Sequence, residues 1–385
     1  MNNHTILPGT GTIGILGGGQ LGRMSAMVAK RLGYKVVIFS DVANSPAGQV
    51  SDREIVGDYT DEHLLQQFSS EVDVVTYEFE NIPLQAIQNL EANGATVRPN
   101  SNSIAASQNR IAERRLLSNL QIPTAPFAIL QKEMPQTLDM KMPAIIKTAE
   151  SGYDGKGQRS INSLQELHEA WHEFGGVDCI IEERISFVKE FSIILARSCT
   201  GETRHYGPIE NIHKNHILNR SMYPAEIPKK SAEDAISAAQ TVAHSLNFIG
   251  VLAVEFFLQT DGTVLVNELA PRPHNSGHLT IEGFVTSQFE QHIRSVCGLP
   301  LGSVECTAPS IMINLLGDLW KNGTPPFERI LNHPNTNLHL YGKPTPRPGR
   351  KMGHITISLP SLNEARTTAK TIEGILLCER ACEDV

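Results

Sequence analysis

The sequence predicts a protein of α/β and α+β class. A Rossmann-like, doubly wound parallel sheet comes first, then an antiparallel α+β region, then a small C-terminal domain. Three observations carry this. Strand and helix signals alternate over the first hundred residues. A glycine cluster, "GILGGGQLGR", lies where the first strand gives way to the first helix. Beyond Phe127 the apolar runs lengthen, and two of them flank Asp261–Gly262, a hairpin signal.

The elements follow in order. Residues 13–16 form a short apolar strand, 21–32 a helical stretch, and 35–39 a second strand ending at Asp41. Strand signals return at 54–56 and 72–77, with helical stretches at 62–68 and 84–93. A polar helix is expected over 101–120, and Pro123 and Pro126 then break the chain. The runs "AIIK" (144–147), "CIIEE" (179–183) and "FSIILA" (191–196) are strands of a mainly antiparallel sheet. The last segment opens with "SIMINLLGD" after Pro309 and closes with the strand "HITIS" and a short amphipathic helix. The proline-rich "GKPTPRPGRK" before that strand reads as a surface loop.

Composition bounds the function. With 385 residues, about two or three domains are expected. Hydrophobic residues make up 40% and charged residues 19%, which suits a chain that buries a core and excludes a disordered one. The balance of 33 basic against 41 acidic residues, net −8 with no basic run, argues against nucleic acid as a partner. No apolar run approaches the ~20 residues that cross a bilayer, so no membrane is expected. No basic segment precedes an apolar stretch at the N-terminus, so no export signal is expected either. Six cysteines lack zinc spacing, with only Cys378 and Cys382 one helical turn apart, and read as reduced thiols of a cytoplasmic protein.

Gly17, Gly19 and Gly22 have the G-x-G-x-x-G spacing, and Asp41 follows at the end of the second strand. Such a turn exposes helix N-terminal amides to an anion, so a phosphate is expected near Gln20 and Leu21. Spacing alone does not say dinucleotide. A nicotinamide-dependent dehydrogenase is therefore one rival reading, and a non-catalytic nucleotide sensor another.

The hairpin is more informative. With Asp261–Gly262 as a two-residue type I′ loop, counting outward sets Glu255 opposite Glu268. Like charges facing each other across strands are destabilising unless a cation bridges them. Carboxylate oxygens suit Mg²⁺, which takes waters and substrate phosphates as its other ligands; Mn²⁺ could replace it. An exposed acidic pair fits poorly, because both strands are otherwise apolar. Upstream, Lys147 ends an apolar strand and the loop Gly152-Tyr153-Asp154-Gly155-Lys156-Gly157-Gln158 follows. Amides folding over phosphates beside a lysine are a nucleoside triphosphate device, though not a Walker loop. "IIEERI" then supplies strand-end groups for adenine and ribose.

Lysine, glycine loop, strand-end acids and carboxylate hairpin, in that order, resemble the ATP-grasp superfamily. Within it the chain is similar to the N5-carboxyaminoimidazole ribonucleotide synthetase family, through "GILGGGQLGRM", "TYEFENIP", "GYDGKGQ", "VLAVEFF", "NELAPRPHNSGH", "NLLGD" and "RPGRKMGH". The resemblance implies ATP- and bicarbonate-dependent carboxylation of 5-aminoimidazole ribonucleotide through carboxyphosphate, in purine synthesis. Formate-dependent glycinamide ribonucleotide transformylase shares "PRPH", but "GGGQLGRM" and "HNSGH" favour the carboxylase. The resemblance also implies a homodimer and three domains, 1–105, 106–305 and 306–385.

Carried over, the ATP contacts fall on Arg110, Lys147, the 152–158 loop, Glu182, Glu183, Arg184, Ile185, Glu190, His213 and Asn267. The Mg²⁺ ligands fall on Glu255 and Glu268, with Glu268 also at the nucleotide. The aminoribonucleotide contacts fall on Gln20, Leu21, Glu78, Tyr153, Asp154, Asn275, Lys343, Arg350 and Lys351. Lys147, Glu255, Glu268 and Arg272 form the catalytic set, with Arg272 expected to hold bicarbonate or its phosphate, or else to pair with a strand-end acid. His274 is expected as a structural hydrogen-bonding group or a proton relay. One position departs from the superfamily pattern: Ala270 stands where many members carry asparagine, so a third protein ligand would be missing or replaced by water.

Overall fold

The computed structural model describes residues 5–131, 137–150 and 157–378. The first strands are β1 (Thr12–Leu16), β2 (Lys35–Ser40), β3 (Arg53–Val56) and β4 (Val74–Tyr77). They pair in parallel, in the order β3-β2-β1-β4. Helices α1 (Gln20–Arg31), α2 (Glu62–Ser70) and α3 (Leu84–Ala92) alternate with them. Parallel strands buried on both faces read as unbroken apolar runs, as "KVVIFS" does. The strand order reverses between β1 and β4, so their C-terminal ends form the crevice where such sheets bind ligands.

The single polar helix expected over 101–120 is two helices, α4 (Ser101–Gln108) and α5 (Arg110–Asn119). The break has a chemical cause. Asn109 is extended, and its Oδ1 accepts the amides of Ile111 (2.9 Å) and Ala112 (3.2 Å), capping the second helix. That restart places Arg110 at a helix N-terminus facing the central cleft.

Two antiparallel sheets follow. β5 (Phe127–Leu130), β6 (Ala144–Thr148), β7 (Gln158–Ile161) and β8 (Cys179–Glu183) make a four-stranded sheet, order β5-β8-β6-β7, covered by α6 (Leu164–Glu173). The larger sheet begins with β9 (Lys189–Arg197), β10 (Thr203–Lys214) and β11 (Ile217–Tyr223). After α7 (Lys229–Ser245) come β12 (Gly250–Leu258) and β13 (Val264–Ala270), then α8 (Thr280–Gly283) and α9 (Gln288–Val296). The C-terminal segment adds β14 (Ser310–Leu316), α10 (Phe327–Leu331), β15 (Thr336–Leu340), β16 (Lys351–Ser358) and α11 (Leu362–Cys378).

The C-terminal strands do not form a separate sheet. β14 pairs with β11, giving eight continuous strands in the order β13-β12-β9-β10-β11-β14-β16-β15. Helix α11 has 17 residues, longer than the short helix expected. It lays Ala365, Ala369, Ile372 and Leu376 onto Ile311, Ile313, Ile355 and Ile357 of this sheet. Cys179, Cys199, Cys297 and Cys306 are free thiols, and Cys382 lies outside the described residues.

The β12–β13 hairpin corrects one expectation and keeps another. The loop has three residues, 260–262, not two: the Gln259 amide donates to the Thr263 carbonyl (2.9 Å). Gly262 sits at φ 88°, the left-handed position that ends such a loop. Leu258 therefore pairs with Val264, one residue out of the expected register. A β-bulge at Asn267 then inserts an extra residue, and Glu255 pairs with Glu268 after all.

Candidate active site

All three sheets border one cavity of about 680 Å³. The glycine loop leads into it. β1 and β4 are neighbours, so Glu78, just past β4, comes down on the loop after β1. Its carboxylate accepts the amides of Gly19 and Gly22, the latter at 2.7 Å. A Cβ on Gly17 would lie 2.2 Å from Glu78 Cγ, and one on Gly19 2.5 Å from Glu78 Oε1. The fingerprint glycines thus make room for the protein's own carboxylate, at an amide where a dinucleotide would set its pyrophosphate. Burial pushes the Glu78 carboxyl up, and the two amides with Lys343 and Arg272 pull it only part of the way back. Asp41 is exposed beyond β2, while Gln20 and Leu21 line the cavity.

Across the cleft stands the carboxylate hairpin. Along β12, Glu255 and Phe257 face the cavity at the ordinary two-residue period. Along β13 the bulge breaks that period, and Val266, Asn267 and Glu268 all line it. Burial and the facing Glu268 push the Glu255 carboxyl up to about 7, against the pull of His213 and Lys351. Two facing carboxylates are a donor pair that could hold a cation. Among the described residues no cluster of three or more His, Cys, Asp or Glu could hold a metal. The pair therefore fits an ion that draws its remaining ligands from phosphate and water, as Mg²⁺ does. Ala270 pairs with Ala253 in the sheet and is buried, so no side-chain ligand comes from that position.

The other walls carry positive charge. Lys147, at the end of β6, donates to Glu182 Oε2 (2.5 Å) on the adjoining β8. Burial alone would raise Glu182, but Lys147 and Arg114 hold it at about 2. Arg110 Nη1 lies 3.9 Å from Glu268 Oε2. Glu190 bonds His213 Nδ1; burial disfavours the imidazolium, yet Glu190 and Glu255 keep the His213 pKa above its ordinary value. Glu183, Arg184 and Ile185 continue from β8 along the rim, beside an apolar wall of Ala125, Ile145, Val266 and the stacked Phe187 and Phe257 (centroids 4.6 Å). The wall residues were not anticipated, although Phe257 lies two positions from Glu255, on the same face.

Arg272 reaches the cavity but is engaged. Its Nε and Nη2 grip Glu80, Nη2 at 3.0 Å, and Nη1 turns to the Pro273 carbonyl at 3.3 Å. Of the two roles foreseen for it, pairing with an acid is the one visible here, and Glu80 was not singled out in the sequence. His274 Nε2 is 3.5 Å from Glu255 Oε1. Its Nδ1 lies 2.9 Å from Ser276 Oγ and 3.3 Å from the Ser276 amide, which turns Nε2 toward Glu255. Burial and then Arg272 press His274 well below the usual pKa, so it is neutral.

Asn275 lines the cavity but exchanges two amide hydrogen bonds with Asn314 (3.0 and 2.7 Å). Lys351 and Gln158 line it as well. Lys343 and Arg350 lie off the wall: Lys343 donates to the Lys351 carbonyl (2.8 Å) and Arg350 to that of Thr345 (2.7 Å). Lys343 nevertheless acts electrostatically on Glu78. Gly157, at φ 69°, accepts the Thr148 amide and is also off the wall. Gly152, Tyr153, Asp154, Gly155 and Lys156 lie outside the described residues. No helix among the described residues is long and apolar enough to cross a membrane.

Known proteins resemble this chain along most of its length. Residues 10–108 match the ribonucleotide synthetase preATP-grasp domain, 115–289 the ATP-grasp domain, and 310–368 the phosphoribosylaminoimidazole carboxylase C-terminal domain. The N5-carboxyaminoimidazole ribonucleotide synthase of Bacillus subtilis (strain 168) is 43% identical, over 92% of this chain and 93% of its own. An N5-carboxyaminoimidazole synthetase from Staphylococcus aureus complexed with ADP superposes with a TM-score of 0.88 at 35% identity, covering 97% of this chain and 98% of that one. An N5-carboxyaminoimidazole synthase from Aspergillus clavatus, in complex with ADP and 5-aminoimidazole ribonucleotide, superposes at 0.87 with 30% identity, covering 96% and 99%. The chain belongs to the N5-carboxyaminoimidazole ribonucleotide synthase family of ATP-grasp ligases.

Proposed function

We propose that this chain uses ATP and bicarbonate to carboxylate the amine of 5-aminoimidazole ribonucleotide, releasing ADP and phosphate, as an enzyme of purine biosynthesis. The observation that carries the reading is the facing pair Glu255 and Glu268 with Lys147 on the opposite wall of the same cavity. Hydride transfer has no use for that arrangement, and Glu78 already holds an amide of the glycine loop that a dinucleotide would need.

In the first step a bicarbonate oxygen attacks the γ-phosphorus and ADP leaves, giving carboxyphosphate. In the second, the substrate amine takes the carboxyl group and inorganic phosphate leaves. The chain's part is placement and charge, as phosphoryl transfer requires. Lys147 faces the phosphates from β6, with Arg110 and Asn267 on the hairpin side. Glu183–Ile185 and the apolar wall hold the base, with Glu190 and His213 near the ribose. Glu255 and Glu268 would hold Mg²⁺ or Mn²⁺, which supplies charge neutralisation at the phosphates. Arg272 offers bicarbonate only the Nη1 edge that Glu80 leaves. The glycine loop, most of which lies outside the described residues, is proposed to keep water from carboxyphosphate.

Gln20, Leu21 and Lys351 are proposed for the ribonucleotide phosphate, with Lys343 and Arg350 contributing charge from behind. Glu78 and Asn275 face the rest of that substrate. Family resemblance supports a cytoplasmic homodimer and the division 1–105, 106–305 and 306–385. The test is ADP release with ATP, Mg²⁺, bicarbonate and a panel of amino ribonucleotides. Turnover should require bicarbonate and 5-aminoimidazole ribonucleotide together; equal turnover with glycinamide ribonucleotide and formate would overturn the assignment.

A further inference from the structure

The edge of the large sheet carries an arrangement that the phosphate and metal sites do not explain. β13 is an edge strand, and its bulge leaves the Asn267 carbonyl and the Leu269 amide, on either side of Glu268, facing away from β12. Among the described residues no strand covers them. Instead, two consecutive side chains of α5 do so. Arg114 Nη2 donates to the Asn267 carbonyl (2.7 Å), and Glu113 Oε2 accepts the Leu269 amide (2.8 Å). Together they stand in for a neighbouring strand, one acceptor and one donor in the positions a ladder would supply.

The same arginine reaches the other sheet. Its Nη1 bonds Glu113, and its Nε bonds Glu182 Oε1 on β8 (2.6 Å), whose Oε2 holds Lys147 (2.5 Å). One guanidinium thus uses three nitrogens on three acceptors, a fork that no other side chain offers. Glu113, Arg114 and Glu182 are 2%, 1% and 4% exposed, and with Lys147 they form a neutral chain of alternating charge. It runs from the backbone around Glu268, on one wall of the cleft, to Lys147 on the other.

We propose that Glu113 and Arg114 are positioning residues: they hold the bulged backbone so that Asn267 and Glu268 both face the cleft, and they fix the spacing between Glu268 and Lys147. The inference rests on the ligase reading, in which these two charges face the nucleotide phosphates and their metal from opposite sides. Removing a supporting contact of this kind costs about 10- to 100-fold in metal affinity or activity.

The test uses the full chain and measures ADP binding by calorimetry, with Mn²⁺ and with EDTA, alongside kcat and the melting temperature. The dissociation constant in EDTA divided by that with Mn²⁺ reports how well the metal and the phosphates are held together. Arg114→Lys keeps the charge but offers a single nitrogen; the ratio and kcat should each fall about tenfold or more. Glu113→Gln keeps an acceptor for the Leu269 amide but loses the charge facing Arg114, and both quantities should fall about threefold. If Arg114→Lys does not fold, Glu113→Gln decides. Variants that melt lower yet keep the wild-type ratio and kcat would reduce the pair to a packing role and overturn the inference. A wild-type ratio of one would overturn the ligase reading, and this inference with it.

Discussion

Glu268→Gln should stabilise the ligand-free protein while abolishing its turnover. In the absence of metal and nucleotide, Glu255 is pushed from the ordinary 4.5 up to about 7 by burial and then by the facing Glu268. A shift of that size corresponds to roughly 3 kcal/mol against the folded state once the group must ionise. Burial is the larger cause and the Glu268 charge the next, so removing that charge relieves part of this cost. Glu113 is raised partly by the same charge and is relieved with it. Against this stands the lost contact to Arg110 at 3.9 Å, and since the Glu268 side chain is 44% exposed, that loss is below about 1 kcal/mol.

The pH dependence follows from the sign of the shift. A folded pKa above the unfolded one imposes no cost below 4.5, a growing cost as pH rises toward 7, and the full cost beyond. The variant's advantage should therefore be absent near pH 4.5 and fully developed by about pH 8. Urea unfolding in EDTA at both pH values measures it, and bicarbonate-dependent ADP release, down at least about 100-fold, measures the functional loss. A variant less stable than wild type at the higher pH, or one with undiminished turnover, would refute the reasoning.

Three further outcomes are expected. Gly19→Ala drives a Cβ to within 2.5 Å of Glu78 Oε1; it should cost about 1–3 kcal/mol by thermal unfolding and raise KM for the aminoribonucleotide more than for ATP. Glu80→Gln leaves the Arg272 guanidinium without its anion in a site where both partners are at most 20% exposed; a loss of up to about 3 kcal/mol is expected by urea unfolding. Burial lowers Lys343 to about 8, so it is charged below that pH and neutral above; KM for the phosphorylated substrate should rise as pH passes through about 8, and Lys343→Arg should remove the inflection.

What the sequence makes legible is whatever depends on short-range order. The βαβ alternation, the glycine turn and the apolar runs of both later sheets are each decided within a dozen residues, and each is found where expected. The contacts that complete the site are long-range. Glu78 on the glycine loop, Glu80 on Arg272, and Arg114 on Glu182 and Asn267 span from 56 to 192 residues, and no local periodicity announces them. The helix break at Asn109 is by contrast a local signal, since asparagine is among the preferred N-cap residues.

The carboxylate hairpin lies between these cases. Two-residue turn geometry sets Glu255 opposite Glu268, and the two do pair, but not for that reason. The actual loop is one residue longer, and continued without interruption it would bring Asn267 opposite Glu255 and turn Glu268 to the other face of the sheet. The bulge at Asn267 cancels the slip. A period-two reading contains no bulge, so it reached the right pair through two errors of opposite sign. The bulge also does what no regular strand can, presenting consecutive residues, Asn267 and Glu268, to one cavity. An irregularity of that kind on an edge strand needs outside support, which is why the buried Glu113–Arg114 pair sits where a ninth strand would otherwise be.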